Sequence, residues 1–190
     1  MSEARENLLR SILAELDLRG LGDRSLRDLA AAAGTSHRML IHHFGSREGM
    51  LVAVVEHIES EERAATEGRY APVDIDPAEE LRVTWGRLSD PSVAGRERLF
   101  FECYARGLTG EAPFTRLFPG AVERWVGALS ATDVARGFPL DAARARSRCV
   151  LALLRGLLLD LLATGDREGT TAALEAFLTM AGAPPKKRAR

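Results

Sequence analysis

An all-α protein in two unequal parts is what the sequence predicts, a small N-terminal unit of three or four helices followed by a larger helical domain. Three observations carry that expectation. Apolar residues recur at helical spacing from residue 4 to residue 181, an alternating strand pattern is almost absent, and Gly or Pro punctuates the segments. With 190 residues, 46% hydrophobic and 28% charged, the chain can bury one good core and a small satellite.

The first helix is expected over 4–19, where Leu8, Ile12, Leu13 and Leu16 make one stripe and Gly20 and Gly22 close the segment. Ser25 is a good N-cap for the second, with Asp28 in the first turn where negative charge is favoured. Leu26, Leu29, Ala30 and Ala33 give its apolar face, and Gly34 suits a left-handed helix end. Thr35 and Ser36 offer fresh N-caps for a third helix of about two turns, anchored by Met39, Leu40, Ile41 and Phe44. The connection between these two short helices has the length of a helix-turn-helix. Ser46 caps a fourth helix through Leu51, Val54, Val55 and Ile58 towards Ala65. Gly68, Pro72 and Pro77 mark a linker over 67–77, so the expected domains are 1–66 and 67–183. Beyond it, helices are expected over 78–88, 93–108, 114–129, 141–164 and 167–181, before a basic tail, 184–190.

The third helix carries the chemistry. His37, Arg38, His42 and His43 flank its apolar anchors, and a helix N-terminus with Arg and His beside it suits phosphates and the acceptor edges of bases. Between Arg24 and Arg47 there are four Arg against one acid, Asp28, a local charge of +3 before any histidine protonates. A zinc site is not expected, because adjacent His42 and His43 point about 100° apart on a helix whereas a zinc pair prefers a shared face.

These residues form a recognisable pattern: Ala33-Gly34-Thr35-Ser36, then Ile41-His42-His43-Phe44, then Ser46-Arg47-Glu48-Gly49-Met50-Leu51. The segment resembles the DNA-binding domain of the TetR family of bacterial transcriptional regulators. The resemblance implies a helix-turn-helix DNA-binding domain followed by a helical domain for ligand binding and dimerisation. It assigns Ser25 and Arg27 to backbone contacts, His37, Arg38 and Met39 to base edges, and His42, His43 and Arg47 to phosphates, with Thr35 and Ser36 in the turn among the DNA-binding positions. Ile41 departs from the pattern, since the family usually carries there a Tyr whose hydroxyl bonds a phosphate.

Leu151, Leu153, Leu154, Leu157, Leu158, Leu161 and Leu162 occupy nearly every side of the penultimate helix, so one side is expected to face the core and another a second copy. The expected homodimer interface comprises Leu151, Leu154, Leu158, Leu162, Leu174, Phe177 and Leu178, an arrangement that also resembles the family. Two-fold pairing implies a near-palindromic operator with half-sites about one helical turn apart, roughly 34 Å. Trp85, Phe101, Tyr104, Phe118 and Trp125 are either the walls of an apolar ligand cavity or ordinary core filling. By resemblance, a small lipophilic effector bound there lowers DNA affinity.

The net charge of −1 excludes an indiscriminate nucleic-acid coat, and residues 1–66 hold 8 basic and 11 acidic side chains, so DNA affinity must come from a patch. Cys103 and Cys149 have no metal-like spacing and are expected to be reduced, buried thiols. No signal peptide or membrane span is expected, because Glu15, Asp17 and Arg19 interrupt the first apolar stretch and Arg155 and Asp160 the longest. This places the chain in the cytoplasm. No phosphate loop, nucleophile elbow or paired-carboxylate site occurs, so neither an enzyme nor a cofactor is expected. The expected partners are double-stranded DNA, a second copy and a small effector. The alternative reading is a helical protein-interaction adaptor without DNA binding. Pro184-Pro185-Lys186-Lys187-Arg188-Ala189-Arg190 could touch phosphate or be a solvated end.

Overall fold

Nine helices appear among the residues that the computed structural model describes, 3–19, 21–22, 24–69 and 76–182. They are α1 (Glu3–Arg19), α2 (Leu26–Ala32), α3 (His37–Phe44), α4 (Arg47–Arg69), α5 (Pro77–Leu88), α6 (Ala94–Leu108), α7 (Ala121–Ala135), α8 (Leu140–Thr164) and α9 (Arg167–Gly182). Short 3₁₀ turns at Pro91–Val93 and Phe114–Leu117 complete the chain, and no strand occurs among the described residues. The basic tail and most of the expected linker lie outside them.

One expected helix is corrected. Residues 114–129 are not continuous: the chain makes a 3₁₀ turn over Phe114–Leu117, breaks, and restarts as α7 behind a left-handed Gly120 at φ 70°. Pro119 supplies no amide hydrogen and Gly120 takes a conformation that other residues avoid, so the two end one segment and aim the next. Gly107 explains why the turn lies flat on α6. A Cβ there would sit 2.7 Å from Cζ of Phe118 and 2.9 Å from the Phe114 carbonyl oxygen.

Two cores hold the helices. The first joins Leu9, Ile12 and Leu16 of α1, Leu29 of α2, Leu40 of α3 and Leu51 and Val54 of α4 to Leu99 and Cys103 of α6 and to Phe114. The second packs Leu81 and Trp85 of α5 against Leu154, Leu157 and Leu158 of α8 and Leu174 of α9. The first core continues from the helix-turn-helix unit into α6, because Leu9 to Leu16 of α1 and Met50 to Ile58 of α4 pack with Leu99 and Cys103 of that helix. Asp17 of α1 and Arg96 of α6 reinforce that junction, with Arg96 Nε donating to Asp17 Oδ1 at 2.8 Å. Cys103 is buried as expected, but Cys149 is exposed, which corrects the expectation of two buried thiols.

Candidate DNA interface and the cavity behind it

An isolated helix of eight residues is too short to persist in water, so α3 exists because its neighbours hold it. At its start, Ser36 Oγ accepts from the Met39 amide at 3.2 Å. Leu40 is its one fully buried residue, and burying a leucine contributes about 1.5–3 kcal/mol. Phe44 packs on the first core at the far end, with the Arg5 guanidinium 5.1 Å from its ring centroid. Gly49 permits the tight entry into α4, since a Cβ there would lie 2.2 Å from the Phe44 carbonyl oxygen.

α2 is set by a complete capping box. Ser25 Oγ accepts from the Asp28 amide at 3.3 Å and donates to Asp28 Oδ2 at 2.6 Å, while the Ser25 amide donates to the same carboxylate at 2.8 Å. These bonds hold the Asp28 carboxyl below its ordinary pKa. They also occupy the Ser25 hydroxyl, so its group free for an outside partner is a lone pair rather than a hydrogen.

With Leu40 turned inward, the opposite side of α3 is left to solvent. His37, Arg38, Met39, Ile41 and His42 are exposed, with Met39 at 42% and Ile41 at 38%. His37 with Ile41 and Arg38 with His42 are spaced four apart and share a face. Ser25, Arg27 and Ser36 are exposed, and Thr35, His43 and Arg47 are half-buried. Arg27 and Arg38 make no ion pair among the described residues, so their charge is uncommitted. Arg47 is partly committed, its Nε donating to the Arg24 carbonyl oxygen at 3.4 Å. It therefore pins the strand of chain before α2 as well as presenting charge.

Behind this unit lies a cavity of about 80 Å³. Its wall takes Ile58, Glu59 and Glu62 from α4, Thr84, Arg87 and Leu88 from α5, Glu97 and Phe100 from α6, Trp125 from α7, and Leu151, Leu154, Arg155 and Leu158 from α8. Arg155 Nη2 donates to Glu59 Oε1 at 3.1 Å and lies over the rings of Phe100 and Tyr104. Arg87 pairs with Glu62.

Residues 8–54 match the family model described as bacterial regulatory proteins, tetR family. Over 173 residues, covering 90% of this chain and 87% of the relative, the sequence is 30% identical to the HTH-type transcriptional regulator BetI of Pseudomonas paraeruginosa. The chain belongs to the TetR family. This TetR-family protein is a DNA-binding transcriptional regulator with the all-α architecture of that family. A transcriptional regulator from Rhodococcus sp. Rha1 shares its fold at TM-score 0.71 and 22% identity, over 93% of this chain and 95% of that one. Another, from Saccharomonospora viridis and in complex with choline, does so at TM-score 0.65 and 21% identity, over 94% and 97%.

Among the five aromatics expected in a ligand cavity of the regulator, Trp125 lines this one. The other four are placed as core. Trp85 is 2% exposed, its Nε1 donating to Thr171 Oγ1 at 3.0 Å between α5 and α9. Phe101, Tyr104 and Phe118 pack beside Phe100, with the Tyr104 and Phe118 rings edge-on at 4.9 Å. The reason is geometric: Tyr104 meets Phe118 beside the 3₁₀ turn and Phe101 lies against the core of α5, α8 and α9, so that of these neighbouring rings on α6 it is Phe100 that reaches the cavity.

Sequence reasoning missed the polar wall. Glu97 was legible in principle, because it falls three residues before Phe100 on the buried stripe of α6, where an acid is out of place. Arg155 was visible inside the longest leucine run.

The expected dimer surface is also corrected. Leu151, Leu154, Leu158 and Leu174 are all below 9% exposed and packed inside their own chain, so they cannot meet a second copy. Leu162, Phe177 and Leu178 are half-buried. The outward side of α8 is instead Cys149, Ala152, Gly156, Leu159 and Ala163, and that of α9 includes Ala172, Ala173, Ala176 and Met180. Apolarity all round α8 thus divides into a leucine face turned in and a small-residue face turned out.

Proposed function

We propose that this regulator is a homodimeric repressor of a near-palindromic operator, released from DNA by a small molecule held in the α4–α8 cavity. The observation that carries the reading is the exposed, acid-free face of α3, held from behind by Leu40. In it, His37, Arg38 and Met39 meet base edges, and His42, His43, Arg47 and Arg27 grip backbone, with Thr35 and Ser36 at the turn, while Ser25, whose hydroxyl hydrogen is held by Asp28, fixes the start of α2. Residues 1–66 read DNA, and 67–183 bind effector and partner.

The small-residue face of α8 and α9 supports pairing, because Ala and Gly let two helix pairs approach closely and Leu159, at 52% exposed, and Met180, at 69%, then become buried. The apolar part of the cavity wall, with choline bound in a protein of the same fold, supports a small-molecule occupant. No described helix is long and apolar enough to cross a membrane. A non-catalytic, cytoplasmic protein is the reading that fits a transcriptional role.

Gel-shift assays against fragments from the chain's own upstream region test it. Binding with nanomolar to micromolar affinity that weakens steeply with salt is the expected result. No binding at moderate salt would favour a helical adaptor instead.

A further inference from the structure

Two large apolar side chains stand on the solvent side of α3. Met39 is 42% exposed and Ile41 38%, and no other large hydrophobic of the DNA-binding unit is exposed among the described residues. Ile41 belongs to neither core, whereas its neighbours Leu40 and Phe44 both pack on the first. It also carries no polar atom with which to bond a phosphate. Packing and backbone grip therefore both leave its exposure unexplained.

A helix advances about 100° per residue, so with Leu40 and Phe44 turned to the core, Arg38 and His42 point away from it. Ile41 lies one turn from Arg38, and Met39 one turn from His42, which puts an apolar group on each shoulder of a basic ridge. In a major groove such a shoulder meets phosphates, polar base edges and one kind of apolar group, the C5 methyl of thymine. Pressed against any of the others, Ile41 would strip water from polar atoms without returning a hydrogen bond.

We infer that Ile41 reads the C5 methyl of a thymine and so fixes one base of the operator half-site. This rests on the reading of α3 as the helix that enters the groove. Shape suits the role as well as polarity. A β-branched side chain in a helix keeps one strongly preferred rotamer, and the Gly45 amide, donating to the Ile41 carbonyl oxygen at 2.8 Å, closes the turn that bears it. Met39, with three rotatable bonds, adapts to what lies beneath it and discriminates less. Position follows from the helix too. Side chains one turn apart have Cβ atoms about 5–6 Å apart and base pairs stack about 3.4 Å apart, so the thymine lies within about two base pairs of the base that Arg38 contacts.

Selection from a pool of randomised DNA duplexes, with the full chain and with its Ile41→Ala variant, tests the inference. Alanine favours a helix more than isoleucine does, and neither core holds Ile41, so the variant should fold as wild type does. Wild type should enrich a thymine within about two base pairs of the position that Arg38→Ala relaxes, and Ile41→Ala should enrich no particular base in its place. On the wild-type duplex, replacing that thymidine by deoxyuridine removes the methyl group alone. The change should weaken wild-type binding about fourfold per half-site, the worth of one buried carbon, and leave binding by Ile41→Ala unaltered. Met39→Ala should keep the full penalty. A deoxyuridine duplex bound as tightly as the thymidine one, a penalty undiminished in Ile41→Ala, or one lost only in Met39→Ala overturns the inference. An enriched sequence without methyl dependence leaves DNA reading by α3 standing and removes the role of Ile41. If no sequence is enriched, the reading of α3 itself falls, and the inference with it.

Discussion

Arg155 of α8 donates to Glu59 of α4 at 3.1 Å, joining the wall of the cavity to the helix that begins at the edge of the DNA-binding unit. Both side chains are largely buried, at 22% and 16% exposed, and Glu59 has no other ion-pair partner among the described residues to take over. Removing Arg155 strands a carboxylate and also takes away the cation resting over Phe100 and Tyr104. Arg155→Ala should cost about 1–3 kcal/mol of unfolding free energy, less than a fully buried pair because solvent still reaches both partners. Urea denaturation measures it, and Arg155→Met, which keeps the apolar stem, should recover part of the loss.

Base reading and backbone grip separate into two different residues. Arg38→Ala should cost about 1–3 kcal/mol on the operator and relax sequence preference, because an arginine commonly reads two acceptors on one base. Arg27→Ala should weaken all sequences alike and reduce the slope of log affinity against log salt by about one. Competition gel shifts at several salt concentrations measure both. Arg47 is a poorer choice for this test, because its bond to the Arg24 carbonyl means that its loss also loosens the entry to α2.

The two faces of α8 and α9 give opposite mutational signatures. Ala152→Arg, on the outward small-residue face, should leave a folded monomer in analytical ultracentrifugation that binds the operator far more weakly. Leu174→Ala, at 1% exposed on the inward face, should instead lower stability by about 2–5 kcal/mol through the hole it leaves. Thiol labelling provides an independent readout. Burial pushes the Cys103 thiol up to about 12, so it should stay inert, while exposed Cys149 should react readily only when pairing is broken.

Glu97 makes stability depend on pH in the direction opposite to an ion-paired carboxylate. Its folded pKa of about 7 exceeds the 4.5 of an ordinary glutamate, so between those values the folded chain binds more protons than the unfolded one. The stability associated with this group is therefore fully present below the unfolded value and is lost as pH rises through the folded one, by at most about 3 kcal/mol. Melting temperatures from about pH 5 to pH 8 should fall with pH in wild type, and the slope should flatten in Glu97→Gln.

The helix-turn-helix was readable because its determinants are local. Caps at Ser25 and Ser36, the stop at Gly34 and the apolar spacing of Leu26, Leu29 and Leu40 each act within a turn or two of themselves. The Pro119-Gly120 break was equally local, but the apolar residues on either side of it imitate one continuous helix. The leucines of α8 were harder for a different reason: periodicity counts apolar positions without saying which neighbour covers them.

What the sequence determined by itself, then, was the helical class, the two-helix reading unit and which of its side chains carry charge, since propensity, capping and patterning are short-range properties. Tertiary structure alone decided which leucines are core and which face remains for a partner, because that depends on where α5 and α9 lie against α8. It also decided that Glu97 closes a cavity rather than meeting water. That burial comes from five helices converging from distant parts of the chain, and no window of the sequence contains that convergence.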